Sequence, residues 1–197
     1  STINPWIRRK LHLLHHKKSG TCADVEERGI GNGQAYRLIR WFVMFDTLTG
    51  NILKAFLTAP KGKRNRHIIR ILAANFPVSL LCATTWYAFL LFHLADGINA
   101  FLNLDLAWSE QTLATMSSID KFVVILIAPA YLRSFCLNLI SSSMHYYGDV
   151  KSLLQQTQVL NAWFLWPLQL FCFNFGSTHS IHHFVVGEPF YIRQLSS

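Results

Sequence analysis

The chain is poor in charge. Only 14% of its 197 residues are Asp, Glu, Lys or Arg, against about 25% in soluble domains. Acids are the scarcest, ten Asp and Glu against eighteen Lys and Arg, for a net charge of +8. The four cysteines, Cys22, Cys82, Cys136 and Cys172, form no CxxC pair, and three lie in apolar runs. That leaves reduced, buried thiols as the reading. No secretory signal is visible, and there is no initiator Met. Residues 71–95, "ILAANFPVSLLCATTWYAFLLFHLA", hold no Lys, Arg, Asp or Glu at all.

Apolar residues fill the gap. The chain is 51% hydrophobic and 14% aromatic, with a mean hydropathy of +0.26. This points to one helical membrane domain over 1–197. The excess positive charge brings nucleic acid into question. A nucleic-acid reader sets its basic residues along an accessible groove or helix. Here they cluster at 8–18 and 61–70, each beside apolar sequence. That fits a cytoplasmic membrane face, and no nucleic-acid partner is expected.

The apolar pattern predicts the elements. Residues 5–18, "PWIRRKLHLLHHKK", read as a helix that Pro5 can start. The glycine-rich "GIGNG" at 29–33 lacks GxGxxG spacing and reads as a connector. Residues 35–59 are interrupted by Arg37, Arg40, Asp46 and Lys54. A charge near the centre of a span costs about 2.5–3.5 kcal/mol, so this stretch is expected as an interfacial helix or helical hairpin. Residues 71–95 exceed the roughly 20 apolar residues a bilayer requires, with Pro77 a point where the span can kink. A loop without Lys or Arg at 96–118 and a second span at 119–143 follow. The basic 61–70 segment then sits inside and the 96–118 loop outside.

Histidines carry the chemistry. "HLLHH" places His12, His15 and His16 at i, i+3 and i+4, and "HSIHH" repeats the spacing with His179, His182 and His183. On a helix those positions share a face. His145, in "SSSMHYYGD" after the second expected span, adds a seventh imidazole. Imidazole suits iron, zinc and copper alike. Seven ligands exceed the four of a tetrahedral site, so two metals with open positions use the set better. His93 belongs at the far end of its span and is set aside. For one site to collect all seven, residues 158–176 must not cross the membrane and are expected as a buried or interfacial helix. Asp24, Glu26, Glu27, Asp149 and Glu188 lie near enough in sequence to orient bound imidazoles, with Asp149 and Glu188 favoured.

These boxes, with "HHKKSGTCADVEERGIGNG" and "THSIHHFVVGEPFYIRQ", resemble the membrane fatty acid desaturase superfamily. The bacterial branch, with its acyl desaturases and a fatty acid decarboxylase, looks closest. The resemblance implies an all-α integral membrane fold with a cytoplasmic histidine-box site, as at a bacterial inner membrane. It implies two non-haem iron ions, O2 as co-substrate, a fatty acyl substrate among membrane lipids, and an electron donor such as ferredoxin, rubredoxin or cytochrome b5. His12, His15 and His16 match the family's second box, His179, His182 and His183 its third, and His145 the lone histidine between them. The first box, an upstream HxxxH element, has no counterpart, so the chain is expected to be N-terminally truncated and incomplete as a catalyst alone. Desaturation is the default reaction. Hydroxylation and oxidative decarboxylation use the same oxidant, and a non-catalytic metal-binding membrane protein is the competing class. A haem protein would need histidines paired on facing spans, which clustered HxxHH boxes do not provide.

Overall fold

The computed structural model describes residues 4–19, 24, 38–144, 152, 157–187, 189, 192 and 195. It is all-helical, with no strand among the described residues. In chain order the helices are α1 (Pro5–Lys18), α2 (Leu38–Phe45), α3 (Thr47–Thr58), α4 (Lys61–Asn75), α5 (Val78–Leu102), α6 (Glu110–Phe122), α7 (Ala128–Ser141), α8 (Trp166–Phe171) and α9 (Phe175–Phe184). The apolar stretch expected as one span over 71–95 is divided. Phe76, before Pro77, is extended at φ −78° and ψ 143°, as the proline ring disfavours helix at the preceding residue. The long apolar helix therefore runs 78–102.

The second apolar helix also differs from expectation. Glu110–Ser141 is continuous, with α6 and α7 joined by a π-turn at Val123–Ile127. Pro129 has no N–H to donate to the carbonyl four residues back. Just ahead of it the ladder shifts, and Ala128 N–H bonds to Val123 C=O, five residues back. The connection between the two long helices shrinks from the expected 96–118 to 103–109. Asn99 bonds Leu106 through both its amide groups, and Trp108 Nε1 donates to Asp96 at 2.8 Å. Ser109 caps α6 by accepting from Thr112 N–H. Both long helices meet the length and composition needed to cross a bilayer, and only 11% and 22% of their apolar windows are buried inside the protein.

Residues 38–58 form a hairpin rather than one helix. Its corner is Asp46, almost fully buried. The carboxylate accepts from Thr49 N–H at 3.1 Å, capping α3, and from the Tyr87 hydroxyl of α5 at 2.6 Å. Asn138 of α7 donates to Met44 C=O at 2.8 Å. Gly50 lets the arms close, because a Cβ there would lie 2.6 Å from Val43 Cα. The start of α1 is tied to the end of α4 by Asn4 N–H to Ala74 C=O, 3.2 Å.

The aromatic run 158–176 breaks into short pieces. A 3-10 turn at Trp163–Leu165 leads into the six-residue α8, and Phe173 and Asn174 take positive φ before α9. Gln169 joins the pieces: its amide NH2 donates to Leu160 C=O at 2.7 Å, and its carbonyl accepts from Gly176 N–H at 2.9 Å. A Cβ on Gly176 would stand 2.8 Å from that carbonyl oxygen. Ile140, Met144 and Cys172 pack beside it with Leu160 and Phe175, and burial pushes the Cys172 thiol above its ordinary pKa.

Asp46→Ala removes a helix cap and strands the Tyr87 hydroxyl. The combined cost is roughly 2–4 kcal/mol, read as a lower unfolding temperature in detergent. Asp46→Asn, which keeps the cap acceptor, is expected to lose less.

Candidate metal centre

Two helices far apart in sequence meet at the histidines. α1 presents His12 and His16 one turn apart, and α9 presents His182. His12 Nε2 lies 2.9 Å from His182 Nε2 and 3.1 Å from His16 Nε2, while His16 and His182 are 3.1 Å apart. Three mutually adjacent nitrogens cannot satisfy one another. A neutral imidazole nitrogen either donates or accepts, and around a triangle at least one edge must join two donors or two acceptors. A shared cation removes the conflict by accepting all three lone pairs. Two nitrogens each about 2.1 Å from one ion lie about 3.0 Å apart at a right angle, which the observed separations match. His12, His16 and His182 could thus hold one metal ion, and they form the one such group among the described residues.

The other imidazoles surround this triangle. His183 packs against His16 with ring centroids 4.5 Å apart and against His15 at 5.3 Å. His179 lies 4.5 Å from His183 and 4.8 Å from the Phe175 ring. Six of the seven predicted ligands therefore occupy one cluster, in which His15, His179, His182 and His183 are buried. His145 falls outside the described residues, as do Asp149, Glu188, Glu26 and Glu27. His93 is elsewhere, between the two long helices, 2.9 Å from Asp120.

Asp24 is the carboxylate the sequence underrated. Its Oδ2 lies 2.7 Å from His15 Nδ1, and it is 1% exposed. A carboxylate on Nδ1 fixes the ring so that Nε2 carries the lone pair, and such partners raise ligand basicity. His15 keeps its place beside the pair, its ring centroid 5.9 Å from that of His12 and 5.5 Å from that of His16. Asp24 lies nine positions after His15, and that spacing gave no periodic signal to mark the contact.

The family model described as Fatty acid desaturase matches residues 1–194, almost the whole chain. The chain belongs to the fatty acid desaturase family. Membership makes it an oxidoreductase of fatty acid metabolism, in a family whose members are typically membrane-bound. No curated protein and no solved structure matches it. The histidines that meet in the cluster lie at both ends of the matched range.

Asp24→Asn keeps shape but removes the charge on His15. It is expected to weaken metal binding roughly 10–100-fold, measured by competition with a chelator, with helical content unchanged.

Proposed function

We propose that the chain desaturates a fatty acyl chain at a non-haem di-iron centre, using O2. The observation that supports this is the triangle of His12, His16 and His182 nitrogens, in a chain of the fatty acid desaturase family. An unactivated C–H bond needs an oxidant that side chains cannot supply, and that is what the iron pair contributes when bound. His12, His16 and His182 would hold one ion. His15, His179 and His183, with His145, are the ligands left for the second, and Asp149 and Glu188 remain candidates to orient them.

The chain's own residues hold and shield. Asp24 fixes the His15 tautomer. Phe175 packs edge-to-face against His179, and the burial of four imidazoles excludes water from their rings. The balance is simple: two C–H bonds of the acyl chain give up two electrons and two protons, and one C=C bond forms. Two further electrons and protons, from a ferredoxin, rubredoxin or cytochrome b5 type donor, complete the reduction of O2 to two waters. The long apolar helices are read as membrane spans, and the basic residues of α1 and α4 support a cytoplasmic side for the histidine cluster by the positive-inside rule.

The test is product analysis of an isotope-labelled fatty acid by mass spectrometry, with iron quantified in the same full-length protein. An internal double bond and two irons per chain are expected. A hydroxylated product or a terminal alkene would reassign the reaction within the family, and zinc in place of iron would overturn the oxidative reading. His16→Ala is expected to abolish product and lower bound metal while helical content is retained.

A further inference from the structure

We propose that α4, with the start of α1, docks on the headgroups of anionic phospholipid. The inference goes beyond the catalytic reading and rests only on α5 spanning the membrane. Between Asp46 and Asp96 the sequence has no Asp or Glu, yet it carries Lys54, Lys61, Lys63, Arg64, Arg66 and Arg70. Among the described residues none of the five cations of α4 forms an ion pair. Arg64 turns back onto α3, its guanidinium 4.6 Å from the centroid of the Phe56 ring. Lys63, Arg66 and Arg70 stay exposed, and at i, i+3 and i+7 they line one face.

The same helix offers apolar anchors. Ile69 is 63% exposed, and Phe76 and Val78, where α4 gives way to α5, are 66% and 53% exposed. Cations thus lead and apolar residues follow toward the span. That order suits a helix lying in the headgroup layer with its end dipping into the acyl boundary. The bond from Asn4 to Ala74 ties the start of α1, which carries Arg8, Arg9 and Lys10, to the end of α4. α1 has no acidic residue in its first turn. A soluble acidic partner would satisfy the charges, but it would not explain apolar anchors set at the mouth of a span. Cations without internal counter-charges favour anionic over zwitterionic headgroups.

The experiment reconstitutes the full-length protein in nanodiscs of equal phosphatidylcholine and phosphatidylglycerol. Retained lipid is then identified by mass spectrometry after stepwise delipidation. Phosphatidylglycerol should be enriched, by roughly fivefold for each cation engaged, and the enrichment should fall as salt rises. The variant K63Q/R66Q/R70Q should lose most of it, while K63R/R66K/R70K, which keeps the charges, should retain it. The salt titration of the unmodified protein decides the matter if the glutamine variant fails to fold. No phosphatidylglycerol preference, a preference indifferent to salt, or full retention in the glutamine variant overturns the proposal. So does charge-dependent capture of an acidic redox protein in phosphatidylcholine discs with no lipid preference. Flotation with neutral vesicles reports α5 insertion separately, so failure of the span reading is distinguishable.

Discussion

Three imidazole nitrogens held about 3 Å apart, with at least one contact among them that no hydrogen bond can satisfy, are the constraint on which the other features bear. Two of them come from one turn of α1 and the third from α9, 166 and 170 residues later. Nothing local can hold such a set. The helices between must fix the distance between α1 and α9.

Two buried polar side chains in that stretch share a design. Asp46 serves a helix cap and a tyrosine from another helix at once, and Gln169 ties Leu160 to Gly176 through both ends of one amide. Each of these two buried side chains thus satisfies two partners from different segments. In surroundings of low polarity an unmade hydrogen bond is expensive, so these bonds act as position markers that apolar packing cannot replace. Gly50 and Gly176 complete the arrangement by allowing approaches that any Cβ would block.

Much of this was legible in the sequence, for physical reasons. The all-helical class and both histidine boxes follow from apolar runs and from i, i+3, i+4 spacing, and six of the predicted imidazoles do meet. Boundaries were less legible. Hydropathy cannot register that Pro77 ends one helix and starts another. Asp96 and Asn99 look like loop residues, yet Trp108 and Leu106 satisfy them and let α5 run on to Leu102. The partner of His15 was hidden too. Helical periodicity says which face a residue occupies, whereas Asp24, reached through a connector, sets where its ring points.

The span between His16 and His182 also orders events in time. α9 is made after α5, α6 and α7, so during synthesis the nitrogen triangle stays open until nearly all the helical framework has left the ribosome. On the proposed reading, both apolar helices would be committed to the bilayer before the last ligand exists. Loading of the ion would then be a final maturation step, and it could not guide the topology of the chain.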